Sequence, residues 1–125
     1  MSEERDPLTQ EVIGAAIEVH RILGPGLLES IYQRCLEKEL RLRGMSFDAP
    51  ARLPIVYKGE TLGDDLIMDF YFPKLLVVEI KSVEKLAPIH DAQLLTYLRL
   101  SGTHVGLLIN FNVRLLKDGV KRLVF

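Results

Sequence analysis

Apolar side chains at Val12, Ile13, Ala16, Ile17 and Leu23 recur at three- and four-residue spacings, with His20 on the same stripe. That period predicts an amphipathic helix, opened by an Asp6-Pro7 cap and closed by Gly24-Pro25-Gly26. A second helix is predicted over 27–43, stopped by Gly44, with Leu28, Ile31, Tyr32, Cys35, Leu36 and Leu40 facing inward. Glu37, Lys38 and Glu39 would face solvent. The period then changes to alternation at Leu53, Ile55 and Tyr57, followed by a Lys58-Gly59-Glu60 turn. Two further extended stretches are predicted at 62–72 and 75–83, separated by Pro73-Lys74. Pro88 opens a third helix ending before Gly102, and 105–111 is a largely apolar run of the buried-strand type. Lys117-Asp118-Gly119 reads as a hairpin-like turn into a last strand at 120–125.

The predicted order is αα-βββ-α-ββ. The strand–helix–strand run over 75–111 reads as a crossover joining neighbouring strands of one sheet. No repeat, low-complexity segment or linker interrupts the pattern, so 1–125 is expected to be a single layered α/β domain.

Composition narrows this only a little. The chain has 125 residues, 48% hydrophobic and 26% charged, which excludes a disordered tail, a collagen-like repeat and a disulfide scaffold. Its one cysteine, Cys35, cannot form an internal disulfide. The polar, acidic start does not resemble a signal peptide, and the apolar runs at 12–17 and 105–109 fall short of a bilayer span. The expectation is a cytoplasmic protein with no membrane partner. A formal net charge of -1 makes no case for nucleic-acid binding. The one basic concentration is Arg114, Lys117, Lys121 and Arg122, set against Asp118.

Three residues could carry chemistry together. Glu79 and Lys81, two apart in a strand, point to one face. A three-residue connection at Pro73–Leu75 would pair Phe72 with Leu76 and bring Asp69 opposite Glu79 on that face; a two-residue turn would put Asp69 opposite Val78 instead. Adjacent carboxylates repel unless a cation sits between them. A hard divalent ion such as Mg2+ takes one or two carboxylates, keeps waters and contacts phosphate. It can lower the pKa of a bound water, and a neighbouring lysine could orient that water. The bland alternative is an Asp69–Lys81 or Glu79–Lys81 ion pair. Against it, Glu79 and Lys81 interrupt the apolar run Leu75-Leu76-Val77-Val78-Glu79-Ile80-Lys81, where unpaired charge is costly. Gln93 and Tyr97 share one face of the third helix. Taken alone they are a helix surface, Glu29 a first-turn dipole partner, and His20 a satisfied core histidine.

Together the pieces resemble a known family. Gly26-Leu27-Leu28-Glu29-Ser30-Ile31-Tyr32 matches the motif that names the GxxExxY family, placed in the PD-(D/E)XK nuclease superfamily. The resemblance extends through Glu18-Val19-His20-Arg21, Val78-Glu79-Ile80-Lys81-Ser82-Val83-Glu84-Lys85-Leu86, Ala92-Gln93-Leu94-Leu95-Thr96-Tyr97, Gly106-Leu107-Leu108-Ile109-Asn110-Phe111 and Gly119-Val120-Lys121-Arg122. Asp69, Glu79-Ile80-Lys81 and Gln93-x-x-x-Tyr97 are also similar to the recombination-exonuclease branch. The usual proline before the aspartate is Met68 here.

The resemblance implies a restriction-endonuclease-like core, a central mixed β-sheet flanked by helices. It implies a nuclease in which Asp69 and Glu79 ligate Mg2+ or Mn2+, with the Ile80 carbonyl a further ligand. Lys81 would position or activate water, and Gln93 and Tyr97 would align substrate. Glu29, ahead of His20, would complete the metal site. The substrate would be nucleic acid, DNA ahead of RNA. So short a chain leaves room for a homodimer or partner protein to supply further contacts. The rival expectation is a nuclease-fold binding or accessory module with little activity of its own.

Overall fold

The computed structural model describes residues 6–125, the side chain of Asp64 excepted, as two compact units interleaved along the chain. The first comprises the chain up to Ser46 together with Ile80–Leu86 and Ile109–Lys121. The second comprises Phe47–Glu79, Ala87–Leu108 and Arg122–Phe125.

In the first unit, α1 (Pro7–Leu23) starts where the sequence predicts. The Asp6 carboxylate accepts from the Thr9 amide at 2.8 Å and from its hydroxyl at 3.0 Å, satisfying helix donors that lack an internal partner. Val12, Ala15, Ala16 and Val19 form its buried stripe. Helix α2 (Glu29–Leu42) packs against it through the buried Tyr32, Leu36 and Leu40. Its N-cap is Leu28, which therefore lies outside the helical turn and is 71% exposed rather than inward-facing.

Tyr32 has a clear structural task. Its hydroxyl donates to the Gly24 carbonyl at 2.6 Å and accepts from the Leu27 amide at 3.2 Å, closing the Gly24–Leu28 turn on itself. Its ring stacks on Phe111 with centroids 4.6 Å apart. Ser82 adds a hydroxyl bond to the Leu27 carbonyl at 2.6 Å. Tyr32 thus orders the α1–α2 turn.

In the second unit, β1 (Ala51–Tyr57) and β2 (Glu60–Met68) form an antiparallel ribbon. Its turn residues Lys58 and Gly59 both have positive φ, 49° and 82°, as a tight two-residue hairpin of matching twist requires. The stretch 62–72, expected as one strand, is two. After Met68 the chain bends at Asp69 and re-enters a different sheet as β3 (Phe70–Phe72). The order is therefore αα-ββββ-α-ββ.

Strand β3 pairs antiparallel with β4 (Leu76–Lys81), and the larger sheet runs β3-β4-β5-β6, with β5 at Val105–Asn110 and β6 at Val120–Val124. Strands β4 and β5 are internal and almost wholly buried, which accounts for their apolar sequences. Helix α3 (Pro88–Ser101) makes the crossover between them, and Gly102 ends it in the left-handed conformation at φ 69°. The expected turn before β6 is a short 3-10 helix, Leu116–Gly119. The mixed α/β architecture with flanking helices is that of a restriction-endonuclease-like fold. Among the described residues, no helix is long and apolar enough to cross a membrane.

Candidate functional site

The β3–β4 hairpin sets the geometry. Phe72 pairs with Leu76, Tyr71 with Val77 and Phe70 with Val78, the register that a three-residue connection demands. Lys74 takes a positive φ of 67° in that connection; its amide donates to the Tyr71 hydroxyl at 3.2 Å, and the Leu75 amide donates to the Phe72 carbonyl at 2.8 Å. One further step along the ladder sets Asp69 opposite Glu79. There the Asp69 backbone N–H donates to Glu79 Oε2 at 2.8 Å. The bend at Asp69 releases that amide from strand pairing and turns it to the carboxylate.

Glu79 is only 3% exposed. A carboxylate that deep is tolerated because charge-assisted bonds replace its hydration. Among the described residues no buried side-chain polar atom lacks a hydrogen-bond partner. Tyr97 of α3, 5% exposed, lies within the field of the same pair. Burial first, then the negative charges of Glu79 and Asp69, hold its phenol above the ordinary value of 10.0. The hydroxyl therefore stays protonated at neutral pH and can act as a hydrogen-bond donor. In a tyrosinate absorbance titration of the folded protein, Tyr97 should ionise above an ordinary tyrosine. Glu79→Gln should lower that transition part of the way, because one of the two charges is gone and the burial remains.

The second unit thus brings Asp69, Glu79 and Tyr97 together. Gln93 lies one helical turn before Tyr97 and is exposed. Ile80 follows Glu79 and is fully buried, and Lys81, half-buried, falls on the Glu79 face of β4 by strand alternation. Glu29 and His20 belong to the first unit. Glu29 is exposed in the first turn of α2. His20 is 8% exposed, and its Nε2–H donates to the Val113 carbonyl at 2.7 Å, so that nitrogen is not available as a ligand in this arrangement. Among the described residues, no group of three or more His, Cys, Asp or Glu is arranged to hold a metal ion. The residues that could hold one are Asp69 and Glu79, kept adjacent by the bond from the Asp69 amide to the Glu79 carboxylate. Two hard carboxylates, one deeply buried, suit a Mg2+-like ion that retains several waters, and do not suit a closed zinc site.

One positioning residue escaped the sequence reading. Asn110, 2% exposed at the end of β5, accepts from the Val83 amide at 3.0 Å and donates to the Val83 carbonyl at 2.9 Å. The Phe111 amide donates to the Lys81 carbonyl at 2.9 Å. Together these fix the backbone leaving β4. The only sequence signal is one amide side chain in the apolar run Gly106-Leu107-Leu108-Ile109-Asn110-Phe111.

A sequence model of the PD-(D/E)XK nuclease superfamily matches residues 6–123. The chain belongs to that superfamily. No curated protein and no solved structure gives a significant match. PD-(D/E)XK nucleases act on nucleic acid and generally use divalent metal ions. Membership therefore makes nuclease chemistry the frame for the carboxylate pair.

Proposed function

We propose that residues 1–125 act as a single nuclease domain of the GxxExxY type, related to the recombination-exonuclease branch, which hydrolyses phosphodiester bonds in DNA in the cytoplasm. The observation that carries this reading is the bond from the Asp69 amide to the buried Glu79 carboxylate, with Tyr97 set against both charges. Asp69 and Glu79 would hold Mg2+ or Mn2+, with the Ile80 carbonyl adjoining. Bound there, the ion would supply Lewis acidity to the phosphate and lower the pKa of a water. Lys81, on the Glu79 face of β4, orients the attacking water and offsets charge developing on the phosphate. The Tyr97 hydroxyl donates a hydrogen bond, and Gln93, exposed one turn away, contacts the substrate backbone.

The test is cleavage of single-stranded DNA, duplex DNA and RNA with Mn2+. DNA cleavage that disappears with EDTA, and that Lys81→Ala lowers at least a hundredfold, is the expected result. Cleavage undiminished by EDTA, or no cleavage of any substrate, would overturn the proposal.

A further inference from the structure

The basic cluster near the C-terminus has no part in the chemistry described above. Two of its members, Arg114 and Lys117, line a groove within the first unit. The groove is open, about 550 Å³ in volume, and lies between the last turn of α1 and the segment around the 3-10 helix. Ile17, Pro25 and Leu115 are its apolar lining, and Arg21, Arg114 and Lys117 its cationic lining. Ile17 and Leu115 are each nearly half exposed, at 47% and 48%, although both are large apolar side chains. Arg114 and Lys117 are exposed, and among the described residues neither is in an ion pair, whereas Arg21 is bound to Glu18 at 2.8 Å. The groove wall is fixed rather than loose, because His20 Nε2–H ties α1 to the Val113 carbonyl beside it. Glu18 holds the Arg21 guanidinium and Asp118 adjoins Lys117 in sequence, so the positive charge is local to Arg114 and Lys117 and is not a broad patch.

A groove that combines apolar lining with cationic side chains suits a polyanion that also has apolar faces to set down. We propose that this groove holds a single-stranded nucleic acid, phosphates on Arg114 and Lys117, bases against Ile17, Pro25 and Leu115. Duplex DNA would offer the phosphates but keep its bases stacked away from the apolar side chains, whereas single strands combine backbone contact with base contact. The identity of the polyanion rests on the nuclease reading; the groove itself does not.

The experiment is fluorescence anisotropy with a labelled single-stranded oligodeoxynucleotide and a matching duplex, in EDTA so that binding is read without cleavage. Arg114→Ala/Lys117→Ala is compared with Arg34→Ala/Lys38→Ala, an exposed basic pair on α2. The groove variant is expected to bind the single strand at least tenfold more weakly. Its log–log salt slope should be shallower by about 1.4, for two phosphate contacts at roughly 0.7 each. The α2 variant should match the unsubstituted protein. Equal losses in both variants, no loss in the groove variant, tighter binding of duplex, or no nucleic-acid binding at all would overturn the proposal. Mn2+ cleavage on the same samples separates the two readings. Groove-dependent binding without cleavage removes the nuclease reading and leaves the groove standing. Cleavage indifferent to the groove variant, with binding also unchanged, removes the groove alone.

Discussion

Glu79→Gln is expected to lower metal-dependent cleavage about a thousandfold while leaving the fold as stable as before, or more so. Glutamine keeps a side-chain oxygen to accept from the Asp69 amide, so the 2.8 Å bond can survive. What disappears is a negative charge that is 3% exposed and faces Asp69. Burying a carboxylate carries a desolvation cost that the neutral amide of glutamine does not. Losing one of two hard ligands, by contrast, removes about 4 kcal/mol of transition-state stabilisation, roughly three powers of ten in rate. Thermal melts check both halves. In EDTA the variant should melt no lower than the unsubstituted protein. With divalent ion at about a hundred times its dissociation constant, the unsubstituted protein should gain about 2.7 kcal/mol. In a chain of 125 residues that is a rise of about 10 °C. The variant should gain almost none of it. A variant that melts far lower in EDTA would mean that Glu79 is a structural ion-pair member.

The largest loss of stability is expected from Gly119→Ala. A Cβ built there runs into the Asn110 carbonyl oxygen and lies 3.0 Å from Val113 Cγ2, so backbone must move. Backbone cannot swing aside as the tip of a side chain can, and the cost is about 3 kcal/mol, a fall in melting temperature of about 12 °C. The shift would reach Asn110, whose side chain holds both polar groups of Val83. Activity should therefore drop even at temperatures where the variant stays folded. Gly63→Ala is the matched control, because an added Cβ there meets nothing within 4 Å. Equal melting temperatures for the two variants would contradict the close approach of Gly119 to β5.

The hairpin that sets Asp69 against Glu79 was legible in the sequence because connection length fixes antiparallel register. The sequence left two registers open, Asp69 opposite Glu79 or opposite Val78, and the Phe72–Leu76 pairing of the three-residue connection selects the first. The division of 62–72 into two strands was not legible. Met68 and Phe70 are both buried and flank a less buried Asp69, so the alternation runs through the bend without a break. Periodicity reports which face is buried, and it is silent on which sheet does the burying. Leu28 was misplaced for a related reason. It continues the helical stripe in sequence, but as the N-cap its extended backbone, at φ -69° and ψ 148°, turns it off that stripe. The hydrogen bond from His20 to Val113 spans 93 positions, and Asn110 reaches 27 positions back to Val83. Contacts of that range leave no local pattern, so both had to come from the fold. The Tyr32 hydroxyl bonds to Gly24 and Leu27 are short in sequence yet equally silent, because a tyrosine on an apolar stripe reads only as core.

The most direct test of the central claim needs no knowledge of the substrate. Mn2+ is titrated into the folded protein and followed by electron paramagnetic resonance, alongside Asp69→Asn and Glu79→Gln. A saturable Mn2+ signal is expected in the unsubstituted protein, displaced by Mg2+ and lost in both variants. Mn2+ bound equally well by all three proteins would contradict it, and the carboxylate pair would no longer be the metal centre.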